Sequence, residues 1–126
     1  MKDARPHEVV FVYGTLLSGE PNHAVLGHAP CLGCARTSAR YTLVDMGDYP
    51  ALVDGGASSI VGELYDLDSA TLEMVDEYED APSFYRRSEV VLEDGRSVLA
   101  YLLPPKLALG SPPIPSGDWR AYAHPN

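Results

Sequence analysis

Apolar positions along this chain fall mostly into short β-type runs, with one stretch of helical period. Glu8 to Tyr13 (EVVFVY) is almost wholly apolar, β-branched or aromatic, which predicts a buried strand that stops at Gly14. Ser38 to Val44 (SARYTLV) alternates weakly and predicts a second strand. Ser59 to Leu67 (SIVGELYDL) predicts a third, interrupted at Gly62. A glycine there implies a bulge, a bend or a close approach of another backbone. Ser88 to Leu92 and Ser97 to Leu102 predict two strands joined through Glu93-Asp94-Gly95-Arg96, and Asp-Gly is a strong hairpin signal. Pro21 to Leu26 predicts a short helix ended by Gly27, and Met46 to Ala51 a turn. Pro104 to Pro115 is proline-rich loop, and Gly117-Asp118-Trp119 offers an aromatic anchor near the C-terminus.

The helical stretch lies in Leu67 to Arg87 (LDSATLEMVDEYEDAPSFYRR). Asp68 is a good N-cap, and the helix must end soon after Asp80, because Pro82 cannot continue it and pushes Ala81 out of helical geometry. At roughly 100° per residue, Leu72, Val75, Tyr78, Met74 and Thr71 share one side, and Glu73, Asp76, Glu77 and Asp80 the other. Glu79 breaks the pattern. It lies seven residues after Leu72 and four after Val75, on their face. An inward carboxylate is costly unless it is paired, protonated or used. One held structurally by an Arg or a backbone N–H is the plainer explanation, and a functional carboxylate the sharper one.

One main helix and five or more strands predict a single α+β domain over residues 1–126, a small curled sheet or barrel. The chain has 126 residues, 45% of them hydrophobic, with 11 Gly and 11 Pro, a globular and turn-rich composition. Its net charge is −9, and no Lys or Arg falls between Arg40 and Arg86, so a nucleic-acid partner is not expected. No run is apolar enough to span a membrane and no signal peptide is apparent, so a cytoplasmic protein with no membrane partner is expected. Cys31 and Cys34 form a lone CxxC. A structural zinc site needs a second ligand pair, and His23 and His28 complete no recognised pattern. No metal and no disulfide are expected, and plain small side chains are favoured over redox use.

Tyr13-Gly14-Thr15-Leu16 is the second stretch with chemical promise. A buried strand ends there, Gly14 permits conformations other residues avoid, and successive freed N–H groups make a concave anion site. A substrate carboxylate or a developing oxyanion fits such a site, although a bare YGTL is more often an ordinary turn.

VFVYGTL near the N-terminus, with VDEYED and FYRR downstream, resembles the γ-glutamylcyclotransferase-like proteins, especially the small single-domain branch that includes γ-glutamylamine cyclotransferases. Further matches are Pro21-Asn22-His23, Tyr41-Thr42-Leu43-Val44, Tyr49-Pro50-Ala51, Val61-Gly62-Glu63-Leu64-Tyr65, Ala100-Tyr101 and Gly117-Asp118-Trp119, so the resemblance covers nearly the whole chain. It implies a small β-barrel of mixed strand directions with flanking helices and a cavity at one end. It also implies that the backbone of Tyr13, Gly14, Thr15 and Leu16 holds a glutamyl group, and that Glu79 is the acid/base. Many members carry Gly immediately after that glutamate, whereas this chain has Asp80. Asp80 is expected to point outward, with a charge able to raise the pKa of Glu79.

The expected reaction is cyclisation of a γ-glutamyl amide to 5-oxoproline with release of an amine, without a cofactor. Tyr85 and Tyr101 are candidate cavity walls, though core packing suits either. Arg86 or Arg87 is expected to pair with the substrate or, more simply, with the acidic helix. Two alternatives stay open: a binding module without turnover, and a related amide hydrolase or acyl transferase. The leaving amine and the oligomeric state are not legible in the sequence.

Overall fold

The computed structural model describes residues 7–80 and 84–124. Its elements are β1 (His7–Val12), β2 (Cys31–Arg36), β3 (Tyr41–Asp45), β4 (Pro50–Asp54), β5 (Val61–Asp68), α1 (Ser69–Tyr78), β6 (Arg86–Val91), β7 (Ser97–Leu102) and α2 (Trp119–Ala123), with single 3-10 turns at His23–Leu26 and Pro105–Ala108. All seven strands join one sheet in the order β2-β5-β1-β7-β4-β3, with β6 also on β7. The α+β class is as expected. The ladders do not close, so the barrel implied by the resemblance is not confirmed; an isolated Thr37–Leu92 bridge links the chain just past β2 to the chain just past β6.

β7 is the branch point. β6 runs antiparallel along one edge for its full length, while on the other edge β1 pairs in parallel at Val10–Leu99 and β4 at Leu52–Leu102. β1 is buried on both faces. Val10 and Val12 enter one core cluster with Leu67, Val75 and Tyr101, and Phe11 and Tyr13 enter another with Leu52, Ile60, Leu64 and Trp119. This two-sided burial explains its unbroken apolar run. α1 covers the first cluster with Leu72 and Val75, and Trp119 at the start of α2 anchors the second, as its place in the sequence led one to expect.

Several elements differ from expectation. β2 and β4 fall where no strand was expected, and β4 begins inside the turn expected over Met46 to Ala51. β2 (CLGCAR) ends the sheet path, is largely exposed and contains Gly33, so it carries no apolar alternation. β4 begins with Pro50, a position where a missing N–H costs no ladder bond. The second predicted strand starts later, at Tyr41. On α1, Met74 is 61% and Tyr78 40% exposed, so the arc that meets the core is narrower than the wheel implied. Asp68 caps the helix as expected, accepting from the Thr71 N–H at 2.8 Å. The helix-stopping role of Ala81 and Pro82 lies outside the described residues. No helix among the described residues is long and apolar enough to cross a membrane.

Gly62 resolves as a close approach within a continuous strand. A Cβ there would collide with the Val12 carbonyl and lie 2.6 Å from the Phe11 ring. Gly62→Ala is therefore expected to lower stability by about 1–3 kcal/mol through overpacking. Urea unfolding reads this as a lower midpoint at constant slope, and an unchanged midpoint would contradict the approach described.

Candidate active site

The site forms where β1 ends. Gly14 and Leu16 are buried and Thr15 is half-buried. The three carbonyls are all engaged: Gly14 accepts from the Leu17 N–H (3.0 Å), Thr15 from the Asn22 N–H (3.0 Å), and Leu16 from His23 Nδ1 (2.9 Å), which must therefore carry the proton. Among the described residues, the N–H groups of Gly14, Thr15 and Leu16 donate to no protein acceptor. Carbonyls consumed and amides left over make a local surplus of donors, the arrangement that favours an anion. Gly14 is required for a different reason from the one expected. Its φ is not positive; instead, a Cβ would lie 2.6 Å from Cγ and 2.8 Å from Cδ of Pro50.

Both ends of this turn are fastened. At the near end the buried Tyr13 hydroxyl donates to the Tyr101 carbonyl (2.7 Å) and accepts from the Leu52 N–H (3.2 Å), stitching β4 to β7 beside the end of β1. Burial first, and then the neighbouring Tyr85 and Glu79, push its pKa well above 10. At the far end the Glu63 carboxylate on β5 accepts from the Ser18 N–H (2.9 Å), the Ser18 hydroxyl (2.7 Å) and the Tyr65 hydroxyl (3.0 Å). Arg120 on α2 adds bonds to the Ser18 carbonyl (2.6 Å) and to Glu63 (3.4 Å). Burial alone would raise the Glu63 pKa, but these donors outweigh it and hold the carboxyl below its ordinary value.

Glu79 is the C-cap of α1, half-buried, and among the described residues its carboxylate has no hydrogen-bond or ion-pair partner. Burial raises its pKa from 4.5 to about 7. The negative end of the α1 dipole acts in the same direction. Its charge adds to the raised pKa of Tyr13 and of Tyr85. Asp80 is exposed and is not among the causes of the Glu79 shift. Its φ of 56° puts it in the left-handed region at the residue after the cap, where glycine ends helices most easily. Asp tolerates that region better than most residues other than glycine, so Asp80 meets the backbone requirement at the helix end.

Glu79 and the turn face one cavity of about 360 Å³, within the range of small-molecule sites. Phe11, Val12, Tyr13 and Tyr101 line its buried part, Pro50 and Tyr85 a wall, and Asp48, Tyr78 and Asp80 its exposed part. Every predicted site residue — Tyr13, Gly14, Thr15, Leu16, Glu79, Tyr85 and Tyr101 — lines it. Tyr85 donates to the Pro50 carbonyl at 2.9 Å, and burial raises its pKa. Tyr101 donates to Asp76 at 2.5 Å, and Asp76 pairs with Arg87 at 3.0 Å, so Asp76 is tied to β6 and β7 and does not simply face water. Asn22, Asp48, Tyr49, Pro50 and Phe84 complete the lining and were not picked out as site residues, although Asn22, Tyr49, Pro50 and Phe84 lie in the matched segments. Cys31 and Cys34 lie away from this cavity, exposed on β2. Among the described residues no three His, Cys, Asp or Glu side chains converge as a metal site would require.

The sequence profile of the family described as gamma-glutamyl cyclotransferase, AIG2-like, matches residues 10–121, and the chain belongs to that family. A Vibrio cholerae protein provisionally named gamma-glutamylcyclotransferase is 43% identical over 111 residues, 88% of this chain and 94% of that protein. The bovine gamma-glutamylaminecyclotransferase is 41% identical over 101 residues, 71% of this chain and 60% of its own length. The chain thus spans nearly all of the bacterial relative and about three fifths of the bovine one. Among solved structures, a protein specific to uropathogenic E. coli superposes with a TM-score of 0.82 at 25% identity, over 94% of this chain and 96% of that one.

The raised pKa of Glu79 has a consequence for stability. A carboxyl whose pKa is higher in the folded state contributes stability that is complete below its unfolded value of 4.5 and is lost as pH rises through about 7. The rise corresponds to roughly 3 kcal/mol at one pKa unit per 1.36 kcal/mol. Glu79→Gln is therefore expected to match the wild type near pH 4.5 and to exceed it by about 2–3 kcal/mol above pH 7. The Glu63 contribution, lost as pH falls below its unfolded range, is common to both proteins and cancels. Paired denaturation curves at pH 4.5, 6 and 8 measure the difference, and a difference independent of pH would refute the buried, unpaired carboxyl.

Proposed function

We propose that this protein is a γ-glutamyl cyclotransferase that converts a γ-glutamyl amide to 5-oxoproline and a free amine, with Glu79 as general acid and base. One observation carries this reading: among the described residues, a half-buried, unpartnered carboxyl of pKa about 7 shares a cavity with three consecutive backbone N–H groups that have no protein acceptor. Membership of the family, and the activity named in its relatives, support it.

The substrate's own α-amine attacks its γ-carbonyl carbon, closing a five-membered ring while the amide C–N bond breaks. The nucleophile is already tethered, so orientation supplies much of the rate. An α-ammonium carries three protons and the ring nitrogen of 5-oxoproline keeps one. The two protons lost are the two that convert the amide nitrogen to a leaving ammonium. A single carboxyl near neutral pKa can pass them across in turn, as a base toward the amine and an acid toward the leaving nitrogen. The Gly14, Thr15 and Leu16 N–H groups supply donors for the α-carboxylate or for the oxyanion of the tetrahedral intermediate. Tyr13 contributes through its backbone and ring, since its hydroxyl is committed to the sheet. Tyr85 and Tyr101 wall the cavity. The protein acts as a small-molecule enzyme with no nucleic-acid or membrane partner.

Glu79→Gln is expected to lower 5-oxoproline release by about 10²–10⁴-fold, the worth of a positioned proton-transfer group. Binding of 5-oxoproline should change far less. Glu77→Gln is the matched control, exposed and outside the cavity lining, and should retain a near-normal rate. Equal losses in both would indicate general electrostatics of α1, and a fully active Glu79→Gln would remove the assignment. Release of glutamate together with the amine would instead identify a hydrolase.

A further inference from the structure

Cys31 and Cys34 take no part in the chemistry proposed above, and both are free and exposed on β2. On a regular strand, residues three positions apart point to opposite faces, with Cα atoms about 10 Å apart. A disulfide needs Cα atoms within about 7 Å and side chains aimed at each other. A regular strand would therefore keep this pair apart. β2 is not regular. Cys31 pairs with Tyr65, Gly33 with Leu64 and Cys34 with Glu63, so Leu32 is the extra residue of a bulge. Three steps along β2 match two along β5.

That shift changes which face each thiol occupies. Tyr65 and Glu63 are alternate residues of one strand and share a face, and the Tyr65 hydroxyl donates to the Glu63 carboxylate at 3.0 Å. Residues directly opposite in an antiparallel ladder also share a face. Cys31 and Cys34 therefore both lie on the Tyr65–Glu63 face, two strand steps or about 6.6 Å apart at their Cα atoms. Two further observations agree. Burial first, and then Glu63 and Cys31, raise the pKa of Tyr65. Cys34 lines a second cavity, of about 300 Å³, together with Glu63, Arg120 and His124.

The pair starts near the upper end of the disulfide range, and the remaining approach meets little resistance. Gly33, between the two cysteines, has a φ of 116° in the region that favours glycine, with open space where a Cβ would stand. β2 ends the sheet path, so β5 is its one strand partner among the described residues and no ladder holds its outer edge. A disulfide closed from this spacing keeps some strain, and strained, exposed disulfides are the readily reduced ones.

We infer that Cys31 and Cys34 form a reversible dithiol–disulfide site on β2, oxidised by small disulfides and reduced by small thiols. One cysteine thiolate attacks a sulfur of the incoming disulfide, which gives a mixed disulfide and releases the first small thiolate. The other cysteine thiolate then attacks the cysteine sulfur of that mixed disulfide, closing the Cys31–Cys34 bond and releasing the second. The two thiol protons of the protein end on the two released thiolates, and two electrons pass from the cysteines to the oxidant. The second cavity leaves room beside Cys34 for the half-molecule carried by the mixed disulfide.

Oxidised glutathione is the probe, at millimolar concentration and mildly alkaline pH, with an acid quench before mass spectrometry of the intact chain. The wild type is expected to lose two hydrogens and both titratable thiols, to stay free of intermolecular disulfide, and to keep the far-UV circular dichroism of the reduced protein. Cys31→Ser and Cys34→Ser should each stop at a single glutathione adduct. About a tenfold excess of reduced glutathione should return both thiols of the wild type. Two stable adducts per chain, a disulfide-linked dimer, or thiols that do not react would each overturn the inference, because each means that the thiols do not meet. Closure accompanied by loss of β-structure would overturn it as well, since the bond would then belong to an unfolded β2. So would a disulfide that resists reduced glutathione.

Discussion

The structure depends on the way β7 divides its pairing. Along one edge it needs two partners, β1 for its first half and β4 for its second, because neither runs its whole length. Where the two partners meet, a parallel ladder would leave backbone groups unpaired, and the Tyr13 hydroxyl fills the gap between the Tyr101 carbonyl and the Leu52 N–H. Leaving such buried groups unmet costs about 1–3 kcal/mol each. The fork also creates the site. β1 must leave the sheet at Tyr13, so Gly14 to Leu16 lose their ladder partners, and Pro50 at the start of β4 presses against Gly14 closely enough to exclude a side chain. The free N–H groups are a product of topology, and no charged residue is needed to make them.

The helix adds the one ionisable group. α1 follows β5 without a break, since Asp68 ends the strand and caps the helix, so the length of α1 fixes where its last residue falls. Ten residues bring Glu79, as the C-cap, to the cavity lining. Leu72 and Val75 hold the helix on the core, and Asp76 locks it to β7 and β6 through Tyr101 and Arg87. A charge left in that position without partners is costly, and the cost appears as a pKa raised toward neutrality. A structural carboxylate would have acquired a partner. Glu63, which lies 7% exposed on the neighbouring strand, has four donors and a lowered pKa. Glu63 is thus the less exposed of the two glutamates, yet its pKa is lowered and that of Glu79 raised, because one is bonded and the other is not.

The helix, the hairpin, β1 and the inward glutamate were legible because each is written in local pattern: a cap and a period of 3.6, an Asp-Gly turn, a β-branched run, and a carboxylate out of phase. β2 was not, because an exposed strand at the end of the sheet path buries too little to need apolar alternation. β4 was hidden by Pro50, which reads as a turn in sequence and serves as a strand start in space. The need for glycine at position 14 was read for the wrong reason: it comes from Pro50, a long-range contact, and not from its own dihedral angles. Asp48 had no local signal at all, and Phe84 only its place in the matched FYRR. They reach the cavity only because β4 and β6 pack beside the fork. Asp76 was read as solvent-facing, and only the path of β7 shows why it is not.

The two anchors of the Gly14 to Ser18 turn explain why a backbone site can be precise without being charged. A loop of free N–H groups would gain by turning them to water or by folding into a tighter turn. Tyr13 prevents this at one end through the sheet, and Glu63, Ser18 and Arg120 prevent it at the other. The three carbonyls are tied to Leu17, Asn22 and His23, so the peptide planes cannot flip without breaking those bonds. Donors held this way require no reorganisation when negative charge develops, and that preorganisation is where such groups contribute most. It also accounts for the reach of the C-terminal segment. Trp119 is buried in the core, and its neighbour Arg120 holds the Ser18 carbonyl. Helix α2, near the C-terminus, therefore supports a turn near the N-terminus, and loss of α2 would loosen the Ser18 end of that turn.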